Sequence, residues 1–192
     1  VTPTFTNGSV SCSGTAQTFT IRVNPNGQVN DPANIVVCNS DATGVIFTTN
    51  NTGGTTTYAW SNSNTAIGLA SSGSGNLSFT ATNTGTSPIS ATITVTPTYT
   101  NYSRSCAVRS VSFTITVNPS AQVNDPADQV RCNGEATAAV NFATNRTGGT
   151  TTYAWTNNNT SIGLAASGTG NIASFNTINT GTAPVVATIT VT

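Results

Sequence analysis

Four cysteines, Cys12, Cys38, Cys106 and Cys132, carry the most reactive side chains of this 192-residue chain. A thiol can act as a nucleophile, a metal ligand or half of a disulfide, and its surroundings decide which. The sequence holds neither His nor Lys. Without His, the usual general base is missing, and with it the Cys–His and Ser–His–Asp arrangements. Without Lys there are no Schiff bases and no Lys–Asn isopeptide cross-links. No Cys-x-x-Cys spacing supports a zinc site. An even number of cysteines in a Thr- and Asn-rich chain therefore reads as disulfides.

The acids are equally sparse. Asp31, Asp41, Asp125, Asp128 and Glu135 are the only carboxylates. A glycosidase needs two carboxyl groups flanking one bond, and here they are scattered. The expectation is that the chain is not an enzyme and binds no cofactor. Asp31 and Asp125 each precede a proline, which reads as a turn. A Ca²⁺ ion at such a position is the one metal the sequence invites, although Ca²⁺ takes six to eight oxygens and each motif offers one or two carboxylates.

Five arginines balance the five acids at zero net charge. With no basic patch to neutralise phosphates, nucleic acid is not an expected partner. The longest apolar runs, such as Ile35 to Cys38, are too short to span a bilayer. Trp60 and Trp155 offer stacking surfaces for sugar rings, but a Trp beside glycines on a sandwich strand is ordinarily a core residue. Tyr58, Trp60, Tyr153 and Trp155 are assigned to the core. Asn-x-Ser/Thr sequons at Asn7, Asn50, Asn76, Asn101, Asn145, Asn158 and Asn159 are candidate glycosylation sites.

The elements that must position these residues are short. Thr makes up about a fifth of the chain, and Val, Ile, Phe, Tyr and Trp recur in alternation, as in strands with one buried face. The spacing predicts strands over 35–38, 44–49, 55–60, 76–80, 89–96 and 110–117. Ala91, Ile93 and Val95 should face inward with Thr92, Thr94 and Thr96 outward. Val111, Phe113, Ile115 and Val117 should also face inward. The fold class is all-β, with short strands separated by Gly-rich turns.

The strongest signal is an internal repeat. Val1–Thr6 matches Val95–Thr100, Cys12 matches Cys106, Phe19–Ile21 matches Phe113–Ile115, and Cys38 matches Cys132, all 94 positions apart. Thr52–Trp60 matches Thr147–Trp155 after a one-residue insertion, and Ala91–Thr96 matches Ala187–Thr192 after a second. The period is roughly 95 residues, the size of one β-sandwich domain. Asn24-Pro25-Asn26-Gly27 and Asn118-Pro119-Ser120 mark the boundaries. Residues 1–25 read as the C-terminal strands of a preceding repeat, 26–119 as a complete repeat, and 120–192 as the next repeat lacking its last strands. Continuation of the pattern at both ends, covalently or by assembly, is expected.

Within the complete repeat the order is Cys38-Asn39, then Thr-Gly-Gly-x-x-x-Tyr-x-Trp ending at Trp60, then Gly68-Leu69, then Ala91-Thr-Ile-Thr-Val95, then Cys106 and a Ser-Phe-Thr-Ile-Thr-Val-Asn-Pro close. That order resembles the PKD-like, immunoglobulin-like tandem repeats of large Bacteroidetes cell-surface adhesins. The resemblance covers the whole chain. It implies tandem immunoglobulin-like β-sandwiches, secretion through the type IX pathway, and an extracellular filament that supports adhesion or surface motility.

It also favours Cys38–Cys106 as the disulfide inside the complete repeat, with Cys12 and Cys132 pairing to copies outside this stretch. Closing such a loop would stabilise the fold by about 4 kcal/mol. A rival scheme, Cys12–Cys38 with Cys106–Cys132, would instead staple neighbouring repeats. The expected role is a structural stalk or fibre whose partners are neighbouring repeats. The alternative is a glycan-binding module, or a linker region of a large secreted hydrolase.

Overall fold

A computed structural model describes residues 1–107 and 109–192. Its regular structure is β, apart from two single-turn 3-10 helices at Thr65–Ile67 and Thr160–Ile162. Among the described residues, no helix is long and apolar enough to cross a membrane.

The chain opens with an antiparallel hairpin of β1 (Thr4–Asn7) and β2 (Val10–Ser13). The best-ordered pattern follows between Ile35 and Asn118. There β3 (Ile35–Cys38), β5 (Thr55–Asn62), β6 (Ser72–Ser74), β8 (Ile89–Asn101), β9 (Arg104–Ala107) and β10 (Val111–Asn118) form one sheet, in the order β3-β10-β8-β5-β6, with β9 also paired to β8. β3 runs parallel to β10, and the other pairings are antiparallel. A second sheet pairs β4 (Ala42–Val45) with β7 (Leu77–Thr80).

Alternation explains how the two sheets meet. Ala91, Ile93 and Val95 of β8 and Phe113, Ile115 and Val117 of β10 are buried, as their spacing predicts. They share one core with Leu77 of β7 and with Phe47, Ile67 and Leu69. Tyr58 and Trp60 pack against its edge. The opposite face of β8 carries hydroxyls in register with β10. Ser90 pairs with Thr116, Thr94 with Ser112, and Thr96 with Ser110, at 2.8, 3.0 and 2.8 Å. The outward hydroxyls of Thr94 and Thr96 are thus bonded across strands.

Two strands depart most from expectation. The strand expected over 44–49 lies at Ala42–Val45, because the Phe47 N–H donates to Asn76 Oδ1 at 2.9 Å instead of to a neighbouring strand. The strand expected to end at Thr96 continues through Pro97 to Asn101. Along its far edge, β9 ends at Ala107 and β10 begins at Val111, so the interruption falls opposite Pro97, which has no N–H to give that side.

The C-terminal residues repeat part of this plan. β11 (Ala154–Asn157), β12 (Ser167–Thr169) and β13 (Ile189–Val191) form a sheet in the order β12-β11-β13, and single bridges join Ala136 to Asn176 and Val140 to Ile172. β11 and β13 match β5 and β8 in sequence and pairing. No counterpart of β3 or β10 is present on the far side of β13 among the described residues.

Candidate functional site

Among the described residues all four cysteines are unbridged thiols; Cys106 is half-buried and the others are exposed. The expected Cys38–Cys106 bridge is not formed, and the sheet shows why. Cys38 ends β3 beside Asn118, next to the Val117–Ile89 pair, whereas Cys106 faces Tyr99. Ile89 and Tyr99 lie ten residues apart on β8, roughly 30 Å of extended chain. A disulfide requires Cα atoms within about 7 Å. The two thiols occupy opposite ends of the central repeat.

Trp155 is buried and Trp60 half-buried against the edge of the core, and neither ring is an open stacking platform. A β-carbon on Gly73 would lie 2.3 Å from Trp60 Cζ2, and one on Gly168 would lie 2.3 Å from Trp155 Cζ2. Each indole therefore lies flush against a glycine of the neighbouring strand, β6 or β12, and both Nε1 atoms are shut off from solvent without a partner. Tyr58 and Tyr153 make the same contact in each repeat, with ring centroids 5.5 Å from Phe47 and Phe142. Burial raises the Tyr58 phenol above its ordinary pKa, opposed by a hydrogen bond with Thr49.

Sequence reasoning missed the buried asparagines. Asn62 donates to the Leu69 and Ala70 carbonyls and accepts from the Asn64 N–H. Asn157 repeats this with Leu164, Ala165 and Asn159. Asn83 is 3% exposed. It donates to Ser87 O and Val117 O, at 2.9 and 2.7 Å, and accepts from the Gly85 N–H. These side chains pin loops to strands by replacing backbone partners. The signal available was their recurrence at matching repeat positions, Asn62 with Asn157 and Asn83 with Asn179.

The sequons are scattered over the surface and not gathered into one place. Asn7, Asn50, Asn76, Asn145 and Asn158 are exposed, while Asn101 and Asn159 are half-buried. The Asn101 and Asn159 amide nitrogens already donate, to Asn24 Oδ1 and Val186 O. Asp31 is exposed, and so is Asp125. No group of three or more His, Cys, Asp or Glu is brought together among the described residues.

What the fold does assemble is a pair of contact zones at the two ends of the central repeat. At the Asn101 end, Asn24 Nδ2 donates to Asn101 O and receives the Asn101 side chain in return, at 3.0 and 3.2 Å. Arg22 stacks over the Tyr102 ring at 3.9 Å, a cation–π contact. The Gly27 N–H donates to Cys106 O at 3.2 Å. At the opposite end, Asn39 Nδ2 donates to Ser120 Oγ at 3.1 Å, Arg146 donates to Gly85 O at 2.7 Å, and the Thr147 N–H donates to Thr86 O at 2.9 Å.

Beyond these zones the apolar surface is unpartnered. Phe5, Phe19, Ile21 and Val23 are 73%, 72%, 80% and 86% exposed. Their repeat equivalents Tyr99, Phe113, Ile115 and Val117 are at most 3% exposed. In the C-terminal repeat Ile189 and Val191 are only half-buried, whereas their equivalents Ile93 and Val95 are fully buried. Comparison with family models and with curated proteins returned no match to this chain.

Proposed function

We propose that this chain is a stretch of tandem β-sandwich repeats in an extracellular filament or cell-surface adhesin, with a mechanical and not a catalytic role. The units are those of the sequence period: the end of one repeat in 1–25, a whole repeat in 26–119, and a further repeat from 120. The strand order β3-β10-β8-β5-β6 facing β4-β7 is compatible with an immunoglobulin-like sandwich, in line with the PKD-like resemblance.

The observation that carries this reading is the pair of end contacts. The central repeat is held by hydrogen bonds at the Asn101 end and again at the Gly85 end. These ends lie at opposite extremities of the 13-residue β8. Units gripped at both poles stack end to end, and that arrangement transmits tension along the strands. Near-zero charge keeps neighbouring units from repelling one another.

Electron microscopy of the native material tests the reading. The expected object is a thin beaded fibre on the cell exterior, with a bead for each repeat. A compact particle, or a protein confined to the cell interior, would refute it.

A further inference from the structure

We propose that the loop 83–88, at the end of the central repeat, is a preformed seat for Arg146 of the following repeat, and that Arg146 in this seat fixes the angle between the two. The inference rests on the division into repeats proposed above, and on nothing about where the protein acts. Units joined by a short linker and a small polar interface ordinarily swing relative to each other, so a fixed angle needs a specific cause.

The seat is shaped inside its own repeat. Asn83 Oδ1 accepts from the Gly85 N–H at 3.0 Å, and Asn83 Nδ2 donates to Ser87 O at 2.9 Å and Val117 O at 2.7 Å. The Asn83 N–H donates to Asn39 Oδ1 at 2.7 Å. The loop is thus tied to the end of β10 and to the turn after β3. Around Asn179 the bonds with Gly181, Ala183 and Asn133 recur at 3.0, 3.0 and 2.8 Å. A loop that the same asparagine builds twice takes its shape from its own repeat. Groups held in place beforehand lose little freedom when a neighbour binds them.

The following repeat fits this seat through residues 146–148. Arg146 Nη1 donates to Gly85 O at 2.7 Å, a charge-assisted bond, and the Thr147 N–H donates to Thr86 O at 2.9 Å. Among the described residues the Arg146 Nε is enclosed and unpaired, so the side chain is closed into the joint. A β-carbon on Gly148 would lie 2.8 Å from Pro88 Cδ. The proline ring therefore rests on bare backbone. Asn39, which orients Asn83, also donates to Ser120 Oγ of the linker at 3.1 Å.

Arg146 is what distinguishes this joint. Its equivalent in the central repeat is Asn51, just before the matching Thr-Gly-Gly run. The turn presenting each is the same: the Asn51 and Arg146 N–H groups donate to the Thr49 and Thr144 hydroxyls, both at 3.1 Å. The side chains then part. Asn51 Nδ2 donates to Asn26 O, at the start of its own repeat, at 3.1 Å. The longer guanidinium of Arg146 reaches the repeat before its own. Its planar fork loses less freedom per hydrogen bond than a flexible amine would. Arg146 is thereby a positioning residue, and it transfers the grip from the linker to the neighbouring repeat.

Residual dipolar couplings of the backbone N–H groups, measured on the whole chain under reducing conditions, test the joint. In the parent, one alignment tensor should fit residues 35–118 and 133–191 together. Arg146→Asn installs the residue found at the equivalent turn, so each repeat should keep its fold, seen as unchanged amide shifts in its core. The two repeats should then need separate tensors of unequal magnitude. Ser120→Ala removes only the linker contact and should keep the single tensor. Separate tensors in the parent or in Ser120→Ala, or a single tensor in Arg146→Asn, overturn the proposal. A beaded fibre would form with a loose joint as with a fixed one, so micrographs judge the filament reading independently.

Discussion

Trp60 and Gly73 are in such close contact that the indole occupies the space of a missing side chain: a β-carbon on Gly73 would sit 2.3 Å from Cζ2 and 2.8 Å from Cε2. β5 and β6 place the two residues directly opposite each other, and the same pair recurs as Trp155 and Gly168. A large ring facing a glycine lets a tryptophan lie flat along the sheet and so cover the strand that carries it.

Substituting Gly73 by alanine should therefore destabilise the central repeat by about 1–3 kcal/mol, the usual cost of overpacking. The ring must tilt away, and its fluorescence should then move toward that of a solvated indole. Urea unfolding followed by that fluorescence measures both effects. If Gly73→Ala leaves the midpoint unchanged, the ring is free to move and is not a packed element.

Asn83 predicts an inequality between the repeats. Its amide bridges Ser87 O and Val117 O in a buried site. Asn179 keeps the bond equivalent to Ser87, to Ala183 O, but has no partner equivalent to Val117 and is half-buried. Asn83→Ala leaves a buried carbonyl unpaired and should cost about 2–3 kcal/mol, whereas Asn179→Ala should cost less than about 1 kcal/mol. Equal losses in denaturant titrations would mean that the Val117 bond contributes nothing.

These cases mark what was legible in the sequence. Alternation along Ala91–Val95 and Val111–Val117 specified which faces are buried, because side chains on a strand have a period of two. The Thr-Gly-Gly-x-x-x-Tyr-x-Trp run placed β5. Side-chain substitution for backbone was not legible. Asn76 capturing the Phe47 N–H moved a strand boundary, and Asn62 and Asn83 look like any other polar residue in an Asn-rich chain. The separation of Cys38 from Cys106 was hidden for a different reason: it depends on β3 joining β10 in parallel at its Asn118 end, a pairing that no local pattern encodes.

Ser40 predicts a gain. Its φ of 74° lies in the left-handed region, and Gly134, its repeat equivalent, has φ 84°. The turn around each is otherwise alike: Asp41 accepts from the Cys38 N–H and Glu135 from the Cys132 N–H, both at 2.8 Å. A non-glycine residue there costs about 1–2 kcal/mol of backbone strain, partly offset by the extra freedom glycine gives the unfolded chain. Ser40→Gly should stabilise the central repeat by up to about 1 kcal/mol. Calorimetry should show a raised Tm, and a lowered one would refute the assignment of strain.

Tyr58 predicts how the fold responds to base. Desolvation at the core edge raises its pKa above the ordinary 10.0, and the Thr49 hydrogen bond only partly opposes this. The phenol is the neutral form, so the folded state keeps its proton at a pH where the unfolded chain has begun to lose it. Folding then binds more protons than unfolding, and stability must fall as pH rises. The contribution is fully present below about pH 10 and disappears as pH climbs through the raised value. Tyr58→Phe has no proton to lose. It should be slightly less stable near neutrality, where it forgoes the Thr49 contact, and should show a shallower decline above pH 10. Chemical denaturation of both proteins from pH 8 to 11 compares the slopes. Parallel slopes would place the Tyr58 hydroxyl in water and remove desolvation as the cause.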